Sequence, residues 1–237
     1  MTGPPAPTGY ITKAAELGAV WVHGNDVSTT TWSDDSGNEH DGVLVNTPLW
    51  HADGGPGSAL PGHMQFNHTA QSYVTMGHHE DFNVQAHTIG AWVRGPFVGV
   101  DWIGLIGKGD GSFQLRRQRS GDYSLRYDVR GPGTDDQVHI EVNDALSDEW
   151  EFVVARYDGH IMQILRVDNG QLVVLAEDAR VGMVQENNLQ LLYAAQNPSG
   201  ATIRRYPSVR MAGPFGFARA LSDEELIEMY NATFEAN

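Results

Sequence analysis

The chain has 237 residues, a length that suits one large domain and exceeds that of a small disulfide-stapled module. Thirty acidic residues against fifteen basic ones leave a formal charge of −15, which argues against holding nucleic acid through its phosphates. There is no cysteine, which excludes thiol catalysis and cysteine-based zinc sites, and no run of about 18 apolar residues long enough to span a membrane.

The opening segment, Met1-Thr2-Gly3-Pro4-Pro5-Ala6-Pro7, has neither the basic start nor the apolar core of a secretion signal. Residues 1–9 read as extended chain, and residues 1–17 as an arm outside a folded domain covering 18–237. Pro4, Pro5 and Pro7 restrict the free arm and so lower the entropy cost of docking it. Tyr10 and Ile11 are then its expected apolar anchors on another subunit, with Lys13 and Glu16 on the solvated side. From about Gly18 onward, short apolar runs alternate with turn clusters, the pattern of an all-β sandwich.

Asp34, Asp35, Asn38, Glu39 and Asp41 gather carboxylates and an amide in one early loop. Calcium takes six to eight oxygens from such loops, so Ca2+ is a candidate ligand. The competing reading is a solvated turn in which Asp and Asn bond their own backbone. His51, His63, His68, His78 and His79 match no metal-site spacing and read as loop histidines on the surface. Gly107-Lys108-Gly109-Asp110-Gly111 precedes a strand rather than a helix, so it reads as a hairpin turn and not a phosphate cradle.

Leu125-Arg126-Tyr127-Asp128-Val129-Arg130 alternates cleanly, with Leu125, Tyr127 and Val129 facing in. Val138-His139-Ile140-Glu141-Val142 does the same, with His139 and Glu141 facing out. Trp150 to Tyr157 and Leu172 to Ala176 are apolar on both faces, as expected of central strands covered from both sides. Asn169-Gly170 signals a type I′ hairpin turn. Near the C-terminus, Ser222 and Glu225 form an S-x-x-E capping box, and Leu221 with Leu226 forms a hydrophobic staple. The short helix that follows needs a larger apolar surface for Leu226, Met229 and Tyr230.

Five segments, in order, resemble laminin-G-like, concanavalin A-like domains. They are Trp32-Ser33-Asp34-Asp35-Ser36-Gly37-Asn38; Ser58-Ala59-Leu60 with Phe66 and Tyr73-Val74; Thr88-Ile89-Gly90-Ala91-Trp92-Val93; Trp150-Glu151-Phe152-Val153-Val154-Ala155-Arg156-Tyr157-Asp158-Gly159; and Arg219-Ala220-Leu221-Ser222 with its helix. The resemblance implies a two-sheet antiparallel jelly-roll sandwich closed by one short C-terminal helix. It also implies packing roles for Trp92 and Trp150. Relatives often hold one calcium at a sheet edge near the segment that aligns with the acidic loop. Many of them place an Asp about ten residues before the capping Ser, where this chain has Ala212.

The fold hosts lectins, lyases, glucanases and adhesion modules, so function must come from the site. The Glu-x-Asp-x-x-Glu strand of the fold's glucanases is absent. Gln137-Val138-His139 resembles an element of alginate-type lyases, but their Arg-x-Glu-x-Arg and Tyr-Phe-Lys-Ala-Gly companions are missing. Sugar binding calls for aromatic faces flanked by groups that bond hydroxyls. Trp50, Trp102 and Tyr206 lie beside turns, with Asp101, Arg204 and Arg205 as polar neighbours. The expected function is a non-enzymatic, lectin-like adhesion or decoration module. Its expected setting is the tail or capsid surface of a virus or phage, where it binds host glycans and joins other subunits or its own copies through the arm. The alternatives are a polysaccharide-degrading, lyase-like enzyme and a free extracellular lectin.

Overall fold

The structure, a computed structural model, describes residues 9–109, 112–117, 123–131, 137–180, 182, 184, 186–196 and 202–235. Pro4, Pro5 and Pro7 lie outside the described residues. In chain order the elements are α1 (Gly9–Glu16), β1 (Trp21–Val22), β2 (Thr31–Trp32), β3 (Gly42–Val45), β4 (Leu49–His51), β5 (His63–Phe66), β6 (Tyr73–Thr75), a 3-10 turn (Glu80–Phe82), β7 (His87–Val98) and β8 (Gly104–Gly107). They continue with β9 (Phe113–Arg116), β10 (Leu125–Arg130), β11 (Gln137–Val142), β12 (Glu151–Tyr157), β13 (Ile161–Asp168), β14 (Gln171–Ala179), β15 (Leu192–Tyr193), β16 (Ser208–Phe217) and α2 (Asp223–Ala232).

The strands form two sheets, and each described pair is antiparallel. The first runs β14-β13-β12-β7-β16-β5-β4, with β1 added on β16, and the second runs β11-β10-β9-β8-β15-β6-β3-β2. This is the expected jelly-roll sandwich. No described helix is long and apolar enough to cross a membrane.

Two apolar layers hold it together. Alternation on β12 sends Val153, Ala155 and Tyr157 between the sheets, and Phe152 and Val154 onto the outer face of the first sheet. That outer face is closed by both helices, through Tyr10, Ile11 and Ala14 of α1 and Leu226 and Met229 of α2. Trp92 lies in this layer and donates to Thr233 Oγ1 at 3.0 Å, as a packing role requires. Trp150, also packed against this layer, donates to Gly54 O at 3.0 Å.

Local chemistry decides the end of the chain. Ser222 Oγ accepts from Glu225 N at 3.2 Å, and Ser222 N donates to Glu225 Oε2 at 2.8 Å, completing the capping box. Arg219 adds two bonds to the same carboxylate, at 2.7 and 2.8 Å. Ser222→Ala should cost about 1 kcal/mol, the usual worth of an N-cap. Thermal melting checks this, and a loss of only a few tenths would remove Ser222 from the capping role. Asn169 and Gly170 both have positive φ, 51° and 75°, and make the β13–β14 turn.

Three expectations are corrected. Residues 9–17 are not an arm reaching for another chain: α1 folds onto the chain's own body, where Tyr10 is fully buried and donates to Gly213 O at 2.6 Å. Tyr10 and Ile11 (4% exposed) are therefore internal anchors, and the sandwich has two helices rather than one. Leu172 to Ala176 is not a central strand, because β14 is the edge of its sheet and leaves Val174 49% exposed. The histidines are not all at the surface: His63 is 6% exposed and stacks on His51 with ring centroids 4.8 Å apart.

Candidate functional site

The outer face of the second sheet, opposite the inter-sheet core, carries a concentrated polar group. On β9 and β10, Phe113, Leu115, Tyr127 and Val129 turn inward, so Gln114, Arg116, Arg126 and Asp128 point out. The register sets Arg116 opposite Arg126 and Gln114 opposite Asp128. Asp128 is only 2% exposed, with Arg116 Nε at 2.8 Å and Arg126 Nη2 at 2.7 Å. A carboxylate removed from water to this degree is tolerable because cations face it.

Trp102 lies over both guanidiniums, its ring centroid 4.7 Å from Arg116 Cζ and 4.9 Å from Arg126 Cζ. The indole reaches them from the β7–β8 loop through left-handed backbone, φ 65°, which is costly for a bulky residue. Arg117 braces that loop. Its side chain, 1% exposed, donates to Phe97 O, to Gly99 O at 3.3 Å and to Val100 O at 2.9 Å. Asp101, beside Trp102, is exposed.

A second loop, leading into β16, comes to the same end of the sheet. Gly104 N donates to Arg205 O at 3.4 Å, and His68 Nδ1 lies 2.8 Å from Tyr206 O. Arg205 Nη1 bonds Gln196 Oε1 at 2.5 Å, and Gln196 Nε2 bonds Gln114 Oε1 at 2.8 Å. This chain of contacts leads from the loop onto the floor beside Asp128. Tyr206 packs on Tyr73 with centroids 5.8 Å apart, and Arg204 is exposed.

Thus Asp101, Trp102, Arg204, Arg205 and Tyr206 share two adjoining loops, whereas Trp50 lies elsewhere, on β4. Sequence reasoning missed Gln114, Arg116, Asp128 and Gln196 as parts of this site. For Gln114, Arg116 and Asp128 the one signal was the polar half of the alternation on β9 and β10, which any solvated face would share, and Gln196, outside the strands, carried none. The floor groups Gln114, Arg116, Arg126 and Gln196 are themselves buried. The groups that reach solvent at this end include the Trp102 plate and the exposed Asp101 and Arg204, an aromatic face with polar neighbours that can stack on a sugar ring and bond its hydroxyls.

The acidic loop is built differently. Asp34 Oδ1 accepts from Val22 N and Ser36 N, each at 3.0 Å, and Asp34 Oδ2 accepts from His40 N at 3.0 Å. Asp35 Oδ2 takes Gly24 N and Asp41 Oδ1 takes Asp34 N, each at 2.8 Å. Asn38 Nδ2 donates to Ala19 O and Val20 O, and Glu39 is exposed. Partial burial pushes the Asp35 carboxyl up to about 6. The carboxylates organise backbone amides instead of converging, and no group of three or more metal-ligating side chains is assembled among the described residues. This donor set does not fit calcium. Metal-free protein should therefore melt at the same temperature in excess calcium and in EDTA, because only an assembled site would add stability by mass action.

No curated protein matches the chain in sequence. Among solved structures, the binding domain of botulinum neurotoxin DC in complex with SialylT is similar at a TM-score of 0.64 and 13% identity, covering 92% of this chain and 52% of that one. The same binding domain in complex with rat synaptotagmin II gives a TM-score of 0.63 and 15% identity, over 92% and 52%. A botulinum neurotoxin type C structure, described by the dependence of cell entry on two ganglioside molecules, gives 0.66 and 14%, over 94% and 53%. The chain spans about half the length of these neighbours, and at such identities the likeness is one of fold. A family model described as the concanavalin A-like lectin/glucanases superfamily, in its laminin-G form, matches residues 68–225, across both sheets, the Trp102 loop and the capping box. The chain belongs to the laminin-G-like group of the concanavalin A-like lectin and glucanase superfamily.

Proposed function

We propose that this chain is a non-enzymatic glycan-binding module that takes its ligand at the Trp102 end of the second sheet. One observation carries the reading: Trp102 is held by left-handed backbone over Arg116 and Arg126, on a loop that Arg117 braces from below. A plate fixed in this way loses little conformational entropy on binding. The neurotoxin domains solved with SialylT and described with gangliosides make sugar a natural ligand class for this family. Since the chain matches only half of those proteins, the ligand's position rests on this chain's own residues.

The narrower setting we propose is the surface of a virus or phage particle, with a free extracellular lectin as the alternative. A cysteine-free, acidic chain suits either. Attachment to other subunits would then use a surface other than α1, which is committed to the chain's own sandwich.

The lyase-like alternative has one observation in its favour. Gln137-Val138-His139 lies on β11, where exposed His139 stands across from Asp128. However, the Asp128 carboxylate is already engaged by two arginines.

A glycan array probed with wild-type protein and Trp102→Ala tests the proposal. The wild type should bind a defined subset of glycans, and the variant should bind them at least about tenfold more weakly, equivalent to about 1.4 kcal/mol. Equal binding by the two proteins would place the ligand elsewhere, and no binding by the wild type would overturn the reading.

A further inference from the structure

The sixth sugar candidate, Trp50, belongs to a different part of the molecule. After β3 the chain leaves the second sheet and enters the first as β4, turning at Asn46 and Thr47, both with positive φ (55° and 50°). Asn46 Nδ2 ties this corner to Gln71 O at 3.0 Å. A recess of about 400 Å3 opens there, between the two sheets at their β2–β3 and β4 edge.

Val27 and Leu44 wall the recess from the second sheet, Leu49 stands at its rim with 58% exposure, and Trp50 closes it from the first sheet. The indole is fixed in place. A Cβ at Gly62 would lie 2.3 Å from Trp50 Cζ2, so only glycine leaves room for the ring there, and Trp32 packs 6.2 Å away. Thr29 brings an exposed hydroxyl to the same opening, while the Ser28 hydroxyl beside it is spent in the turn, donating to Thr31 O at 3.3 Å. The turn that carries them is held by Ser28 Oγ, which accepts from Thr31 N at 2.9 Å and Thr30 N at 3.2 Å.

We propose that this recess is a second sugar subsite for one uncharged pyranose unit, its apolar face against Trp50 and a ring hydroxyl at Thr29. The inference rests on the glycan-binding reading above and adds a ligand class to it. Three features select that class. An aromatic wall with a neutral hydroxyl at its rim suits a ring that is apolar on one face and polar at its edge. Every lining side chain is uncharged, in a molecule of net charge −15, so nothing in the recess compensates an anion. The volume falls within the range of small-ligand sites. The two subsites are also independent: β3 lies four strand positions from β9 in the second sheet, which at about 4.8 Å per strand is about 19 Å.

Titration calorimetry with maltotriose, cellotriose, chitotriose and 3′-sialyllactose would test this, using wild type, Leu49→Glu and Trp102→Ala. Leu49 is exposed, so its substitution puts a bulky charge at the rim without disturbing the core, and a melting curve verifies folding. At least one neutral trisaccharide should bind wild type and Trp102→Ala alike, and bind Leu49→Glu at least about tenfold more weakly. Trp50→Phe, which keeps an aromatic wall, should retain more of this binding than Leu49→Glu. Neutral sugars that bind Leu49→Glu as well as wild type would overturn the second subsite. So would neutral binding that is lost only in Trp102→Ala, although the first site would then stand. If no sugar binds the wild type here or on the array, both readings fail.

Discussion

Lowering the pH from 7 to 4.5 should destabilise this protein through its buried histidines. His87 is fully buried, with its Nε2 hydrogen-bonded to the Tyr127 hydroxyl at 2.6 Å and the Phe113 ring 4.6 Å away. Burial drives its pKa down from 6.5 to about 3. His63, between His51 and Trp150 and near Arg210 and Arg94, is lowered to about 4, mainly by burial and then by these positive neighbours. His23 is lowered by burial as well. The unfolded chain therefore takes up protons below about pH 6.5 that the folded chain refuses. The stability these groups contribute is complete above that value and is lost as pH falls toward their folded pKa values.

One pKa unit corresponds to about 1.4 kcal/mol, so His87 alone should withdraw about 3 kcal/mol between pH 6.5 and 4. Asp35 acts in the opposite sense. Its raised value, about 6, lets the folded state bind a proton first and offsets part of the histidine effect below pH 6. Glu80, Asp158 and Glu225, whose values are lowered, withdraw stability once pH falls into the ordinary carboxylate range, where the unfolded chain protonates first. Urea unfolding across pH 7 to 4.5 should show the midpoint falling, and His87→Gln, which keeps an acceptor for Tyr127, should flatten the slope. A midpoint constant across that range would remove buried neutral His87 from the account.

Removing α1 should be equally damaging. At eight residues the helix is too short to persist alone, so its order comes from packing. Tyr10 and Ile11 each bury nearly all of their surface, and burial of such side chains contributes about 1.5–3 kcal/mol apiece. Gly213, at φ +55°, accepts the Tyr10 hydroxyl, and a Cβ there would lie 2.8 Å from the tyrosine ring. Arg219 reaches back to Leu17 O at 3.0 Å, and Lys13 pairs with Glu228 of α2 at 3.4 Å.

Deletion of residues 1–17 should therefore cost about 4 kcal/mol, and at about 2–4 °C per kcal/mol for a chain of this size the melting temperature should fall by roughly 10 °C. Tyr10→Ala alone should account for most of the loss, since it opens a large cavity beneath the helix. A truncated protein with an unchanged melting curve would show that α1 does not dock on the sandwich in solution.

The sequence by itself determined the features whose partners lie within a few residues. The capping box of α2 joins positions three apart, and the β13–β14 turn needs only Asn169 and Gly170. Alternation on β10 correctly separated Leu125, Tyr127 and Val129 from their outward neighbours, because the two-residue period is built into a strand. These local signals, repeated along the chain, were enough to identify the sandwich and its family.

Tertiary structure alone decided the rest. Tyr10 finds its acceptor 203 residues away, so nothing near it in sequence distinguishes an internal anchor from an intermolecular one. Leu172 to Ala176 has the composition of a buried strand, but only strand order makes it an edge. Arg116 meets Arg126 and Asp128 because β9 and β10 pair in one register, and a shift of one residue would turn Arg116 to the face away from them. Trp102 joins them because Arg117 bends the β7–β8 loop over that face, while Trp50 is left on the opposite edge. Residue types announce which side chains could bind a sugar. Their convergence is set by strand register and loop bracing, which are long-range properties that no local pattern records.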